Sequence, residues 1–188
     1  DLPVMLTIDG AIKEGAYPIH GNSNIVGQAH VDAGNVDEVW NQCDYIIEDY
    51  FTTQPIHHVA VEPHIAIAQW EYGDKLTVYT PCQNIFGFRV ILSQLFGMSY
   101  NKIRVVTPAI GGAFGGKLEM TIEPVATVLS KMTRRPVRLE YTRKECITST
   151  RVRHASKARV KTGFMKDGTI KAMDLKLYTN TGLMQQVH

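Results

Sequence analysis

Residues 103–132 read IRVVTPAIGGAFGGKLEMTIEPVATVLSKM. Ile103-Arg104-Val105-Val106-Thr107 is rich in β-branched residues and predicts a strand. Gly111-Gly112-Ala113-Phe114-Gly115-Gly116-Lys117 is a glycine-rich loop, and Glu123 to Met132 predicts a helix that ends near Arg135-Pro136. Strand, glycine loop and helix in that order set the frame for the neighbouring segments. Upstream, Ile65–Glu71 and Leu76–Tyr79 flank a Tyr72-Gly73-Asp74-Lys75 turn and predict a hairpin. Asn84 to Phe96 carries Phe88, Ile91, Leu92, Leu95 and Phe96 at helical spacing, with Gly97 at the C-cap position. Asp37–Gln42 predicts a short helix and Cys43–Phe51 a strand. Downstream, Val137–Tyr141 predicts a strand, and Ala155–Phe164 with Thr169–Tyr178 predicts a second hairpin through Lys166-Asp167-Gly168. The sum is an α+β fold, a mixed β-sheet with packed helices. Gly10, Gly15, Pro18, Gly21 and Gly27 break up residues 1–30, which read as a linker from an upstream domain, leaving residues 31–188 as the folded domain.

Composition agrees with a globular chain. Of 188 residues, 44% are hydrophobic, 20% charged and 9% aromatic, which excludes a disordered, collagen-like or coiled-coil protein. A net charge of +2 gives no reason to expect a polyanionic partner. No apolar run approaches the roughly 18 residues of a membrane span. Cys43, Cys82 and Cys146 lie far apart, which excludes a zinc ribbon, a thioredoxin-type dithiol and a cysteine-ligated iron–sulfur cluster within the chain. They read as reduced thiols, consistent with the cytoplasm. Asp1-Leu2-Pro3-Val4 has the look of an internal cut point with no secretory signal.

Three readings compete for the glycine loop. Gly111, four residues, then Gly116-Lys117 matches the opening of a phosphate-binding loop, but Leu118 stands where a hydroxyl must meet magnesium. A purely structural turn is the second. The third is a ligand cradle, because backbone N–H groups approach a ligand closely in such a loop and Phe114 sits at its apex. Gln83, at the start of the amphipathic helix, either forms with Asn84 a Gln/Asn cap for that helix or offers an amide to an anionic oxygen. His57 and His58 with Glu62 form a weak metal pattern, since adjacent strand residues point to opposite faces; a structural role fits better. Between Arg134 and Lys161 stand ten Lys or Arg and two acids, Glu140 and Glu145. The alternation Arg151, Arg153, Lys157, Arg159, Lys161 predicts one charged face of an extended segment, for solvent, a subunit contact, an anion or nucleic acid. Interleaved stacking aromatics are missing, which argues against nucleic acid.

Taken together, Gln83-Asn84 opening a helix, Gly111–Lys117 some 30 residues on, and His57/His58 with Glu62-Pro63 ahead of both resemble the molybdenum-cofactor subunit of the xanthine dehydrogenase and aldehyde oxidase family. Arg135-Pro136-Val137-Arg138, Arg153-His154 and Gly163-Phe164-Met165-Lys166-Asp167-Gly168-Thr169 extend the resemblance over roughly residues 25–182. It is similar above all to bacterial molybdenum hydroxylases of purines and other N-heterocycles, including forms thought to depend on selenium. The resemblance implies a partial molybdenum-cofactor-binding domain and oxidative hydroxylation of an N-heterocycle or aldehyde, with oxygen drawn from water. It implies a molybdenum-pterin cofactor, as molybdopterin or its cytosine dinucleotide form. Gln83 then hydrogen-bonds a molybdenum oxygen ligand and Phe114 lines the metal and substrate ring, both without direct ligation, while Gly112, Ala113 and Gly115 contribute through their backbone.

Two departures qualify that implication. Xanthine-oxidising members often place a Glu directly after the loop lysine; here Leu118 holds that position and Glu119 follows. The family's catalytic base and a substrate-binding Arg belong to later parts of the subunit, so no catalytic residue is expected in this fragment and alone it should be inactive. The implied partners are the rest of the large subunit, iron–sulfur and flavin domains or subunits, and a small heterocyclic or aldehyde substrate, with neither nucleic acid nor membrane. A non-catalytic scaffold or assembly domain and a degenerate nucleotide-binding loop are the alternatives.

Overall fold

A computed structural model describes residues 3–182, so Asp1, Leu2 and the end at His188 lie outside the described residues. The chain forms two compact units, His57–Arg153 and the described residues up to Ile56 together with those from His154 onward.

The His57–Arg153 unit is built on a four-stranded sheet. β3 (Ile65–Glu71) and β4 (Lys75–Tyr79) form the expected antiparallel hairpin, with Trp70 opposite Leu76. β5 (Ile103–Val106) runs parallel to β4, and β6 (Val137–Glu140) runs antiparallel to β3, giving the order β5-β4-β3-β6. A parallel neighbour demands a crossover, which α3 (Ile85–Phe96) supplies between β4 and β5. The Asn84 side chain caps α3 by accepting from Gly87 N at 2.9 Å, and Gly97 ends it in the left-handed region. α4 (Glu123–Thr133) starts with Pro124 in its first turn and stops at Arg134, also left-handed, just ahead of Arg135-Pro136. β3 buries Ala66, Ala68 and Trp70 on alternate positions, and these pack with Leu76, Val78, Phe88, Leu92, Ile103 and Ala126. Trp70 meets Phe96 edge to face at 5.8 Å between ring centres.

α5 (Arg143–Ser149) is absent from the sequence expectations. Its signal is Thr142-Arg143-Lys144-Glu145, a capping box in which Thr142 accepts from Glu145 N and the Glu145 carboxylate accepts from Thr142 N at 2.7 Å. Seven residues are too few for a periodic stripe to show.

The other unit holds an antiparallel three-stranded sheet. β1 (Tyr45–Thr53) pairs with β8 (Ala155–Phe164) from Tyr45 opposite Phe164 to Thr53 opposite Ser156, and β8 pairs with β9 (Ile170–Asn180). The helical segment expected over Asp37–Gln42 is α2 (Val36–Val39) continued by a 3-10 turn at Trp40–Gln42. Within residues 1–30 a five-residue helix, α1 (Ile8–Ile12), forms because Thr7 accepts from Gly10 N at 3.1 Å. The two-residue strands β2 (Ile56–His57) and β7 (Val152–Arg153) complete the list of elements.

The expected single basic face is subdivided. Lys157, Arg159 and Lys161 do alternate along β8, but each has a partner nearby. Lys157 pairs with Asp9 at 2.5 Å, Arg159 bridges Glu48 and Asp174 at 2.7 Å each, and Lys161 sits 4.4 Å over the Trp40 ring. That bridge strengthens the Arg159 guanidinium's hold on its proton and draws the Glu48 carboxyl below its ordinary range. Arg151 belongs to the other unit, where it pairs with Glu119.

Candidate functional site

The glycine loop follows β5 on the His57–Arg153 unit, and Gln83 precedes the Asn84 cap of α3. Asn84 therefore does the capping, and Gln83 is released for another purpose. The Gln83 carbonyl accepts from Gly115 N at 3.1 Å and from Lys117 N at 3.3 Å, while its own N–H donates to Lys117 O at 3.0 Å. Three hydrogen bonds thus join two segments more than 30 residues apart. With the carbonyl taken, the exposed Gln83 Nε2 has no protein acceptor among the described residues. Its two N–H donors are therefore uncommitted among the described residues.

The loop itself is held in a conformation few residues adopt. Gly112 and Gly115 have φ of 102° and 90°, and Phe114 between them has φ 54°. A non-glycine residue at positive φ costs on the order of 1 kcal/mol or more, and persists where its surroundings impose it. Phe114 is 75% exposed, so burial does not account for its position. The amides of Gly112, Ala113 and Phe114 have no backbone partner among the described residues.

Beneath the loop lies a built polar support. Lys117 is 3% exposed and its ammonium meets Glu62 Oε2 at 2.6 Å. The same oxygen accepts from Gly111 N at 3.0 Å, and Glu62 N donates to Gly111 O at 3.1 Å. A side chain at Gly111 would run into the Glu62 Cβ at 2.8 Å, and one at Gly116 into the His58 ring at 2.9 Å. His64, buried, bonds Gly116 O through Nε2 at 3.0 Å, which makes Nε2 the proton-bearing nitrogen. Burial pushes its pKa below the ordinary histidine value, assisted by the Lys117 charge and opposed by the Gly116 bond. The buried Nδ1 atoms of His58 and His64 have no partner among the described residues. Glu123, buried, accepts from Thr80 Oγ1 at 2.7 Å and from Thr121 N at 2.9 Å. The polar groups supporting the loop are therefore almost all spoken for.

These contacts argue against the phosphate-loop reading. Phosphate binding needs a free lysine at a helix start, whereas Lys117 is buried against Glu62 and α4 begins at Glu123, six residues later. The structure brings Gln83 onto the Gly112–Gly115 arc that carries Phe114. His57 is fully used, with Nε2 on Thr150 Oγ1 and Nδ1 accepting from Val59 N, both at 2.9 Å. Among the described residues, no three His, Cys, Asp or Glu side chains are grouped to hold a metal ion, and no helix is long and apolar enough to cross a membrane. Glu62 and His64 as supports of the loop were not foreseen; the Glu62-Pro63 motif was their only sequence signal.

The chain is similar to known proteins. The large molybdopterin subunit of nicotinate dehydrogenase from Eubacterium barkeri is 30% identical over 97% of this chain and 43% of its own length. The molybdenum-binding subunit of xanthine dehydrogenase from Escherichia coli O157:H7 is 32% identical over 97% of this chain and 24% of its own length. The aldehyde oxidoreductase of Desulfovibrio gigas superposes with a TM-score of 0.81 at 25% identity, covering 95% of this chain and 20% of that one. The chain thus spans less than half the length of the relatives it matches. Residues 18–188 match the family described as the molybdopterin cofactor-binding domain, and it is to that family that the chain belongs.

Proposed function

We propose that this region belongs to a molybdenum hydroxylase that converts a C–H bond of an electron-poor N-heterocycle, or of an aldehyde, to C–OH with water-derived oxygen. The reaction releases two electrons and two protons per turnover. The observation that carries the reading is the Gln83 clasp, which spends the amide carbonyl on the loop and leaves both Nε2 donors free beside an exposed Phe114. Such a surface fits a group rich in acceptor oxygens lying next to a flat substrate ring. When bound, the molybdenum-pterin cofactor supplies the two-electron acceptor for this chemistry.

The chain's own residues hold and orient. Gln83 Nε2 donates to an oxygen of the cofactor, and the amides of Gly112, Ala113 and Phe114 supply further donors. The Gly115 N–H acts indirectly by fixing Gln83. Phe114 lies against the face of the substrate. Leu118, half exposed, replaces the carboxylate common in xanthine-oxidising relatives, and Glu119 is paired with Arg151. A heterocycle gripped differently from xanthine is therefore the preferred substrate class, and the nicotinate relative is in keeping with that. Iron–sulfur and flavin domains or subunits complete electron transfer in the cytoplasm, with residues 31–188 as the opening part of the cofactor-binding domain and residues 1–30 as its lead-in.

Replacement in the full-length, cofactor-loaded protein tests this. Gln83→Ala should lower kcat about 10–100-fold with molybdenum content retained, the range seen for groups that orient a metal centre. Phe114→Ala should raise KM for a heterocycle more than for a small aldehyde. Unchanged turnover in both variants would mean a scaffold rather than a hydroxylase site.

A further inference from the structure

Glu62 occupies a place in the site that cofactor and substrate contacts do not account for. The loop of seven residues has two feet, Gly111 and Lys117. One carboxylate oxygen of Glu62 accepts from both, from Gly111 N at 3.0 Å and from Lys117 Nζ at 2.6 Å. The Glu62 N–H donates back to Gly111 O at 3.1 Å, so the first foot is gripped in both directions. The second foot is gripped again on its backbone by Gln83. Gly111 itself approaches so near that any side chain there would collide with the Glu62 Cβ.

This arrangement is more than a surface ion pair. The Lys117 side chain is 4% exposed against 26% for Glu62, and a buried ammonium needs its counter-charge and acceptor to stay folded. One oxygen thus joins the two feet, and the arc between them contains the positive-φ run of Gly112, Phe114 and Gly115. Glu62 is in turn seated by Arg143, whose guanidinium donates to Ala60 O at 2.7 Å and Val61 O at 2.5 Å, the two residues before it.

We propose that Glu62 is the positioning residue of the glycine loop, setting the height of Phe114 and the direction of the Gln83 amide without touching cofactor or substrate. This rests on the proposed hydroxylase reading for its functional consequence, but the mechanical part stands apart from it. Loss of the carboxylate frees the Gly111 foot and relaxes the arc.

The test uses the full-length protein, freed of cofactor and loaded, with hydrogen exchange over residues 111–117 as a readout independent of turnover. Glu62→Gln keeps an acceptor oxygen and nearly the same volume but removes the charge, and unchanged exchange in the sheet strands guards against simple unfolding. Glu62→Asp keeps the charge on a shorter stem. In Glu62→Gln the hydrogen-bonded loop amides, those of Gly111, Gly115, Gly116 and Lys117, should exchange at least about tenfold faster in the cofactor-free protein, with the sheet strands unchanged. In the loaded protein KM for the heterocycle should rise and kcat fall about tenfold or more, while molybdenum content holds, and Glu62→Asp should recover part of both effects. Loop exchange equal to wild type in Glu62→Gln would overturn the proposal. Faster loop exchange with normal turnover, in a protein where Gln83→Ala does impair turnover, would overturn the link from loop position to catalysis. If Gln83→Ala is silent as well, the hydroxylase reading fails, and the exchange result alone then decides whether Glu62 holds the loop.

Discussion

At the scale of single residues, the site depends on where polar capacity has been used up. Gln83 is informative because its carbonyl is committed and its amide donors are not, and His64 because one nitrogen is bonded to Gly116 O and the other is buried without a partner. His64 also links the site to pH. Its pKa is depressed in the folded protein, so below about 6.5 the unfolded chain takes up a proton that the folded chain resists. The sign follows directly: stability is complete above that value and declines as pH falls beneath it. Urea midpoints at pH 7.5 and 5.5 should show a smaller acid loss in His64→Gln, which keeps an N–H for Gly116 O, than in wild type. Identical losses in the two proteins would show that His64 titrates normally. Little of this was legible beforehand. Gln83 and Phe114 stood out by type and by their glycine and helix-start settings, but the Gln83 clasp spans 32 residues and the Glu62–Lys117 pair 55. Local sequence carries no signal for pairings of that reach.

At the scale of elements, legibility follows length and periodicity. The five-residue apolar stripe of α3 with its Asn84 cap and Gly97 stop was readable, and so was the hairpin of β3 and β4 around Gly73-Asp74. α5 was not, because its stability comes from the Thr142/Glu145 box and from one buried residue, Cys146. Yet α5 matters to the site. Its Arg143 holds the Ala60–Val61 backbone, and the Cys146 sulfur accepts from His64 N at 3.4 Å. Thr142→Ala should cost about 1 kcal/mol of stability, the usual loss for a removed N-cap, measurable by urea denaturation of the full-length protein. No loss would mean that tertiary contacts alone hold α5. The Thr7 cap of α1 makes the same point on a smaller scale, since a single side-chain hydrogen bond organises five residues within a glycine-interrupted stretch.

At the scale of the whole molecule, the chain order and the spatial order differ. β8 returns more than a hundred residues after β1 to pair with it, and the long insertion between them forms the unit that carries the site. The Lys166-Asp167-Gly168 turn between β8 and β9 predicted a hairpin, but nothing in those strands announced β1 as the third. The family assignment rests on residues 18–188, and the chain spans 43% of the nicotinate dehydrogenase subunit it matches, so the activity stays with the proposal. The central claim is therefore local, that the Gln83 and glycine-loop clasp is where the cofactor sits. A structure of the full-length, cofactor-loaded protein tests it most directly. The account predicts Gln83 Nε2 within about 3.2 Å of a cofactor oxygen, with the Gln83 carbonyl still on Gly115 N and Phe114 beside the metal. A cofactor seated away from the loop, or a Gln83 amide turned back onto protein, would contradict it.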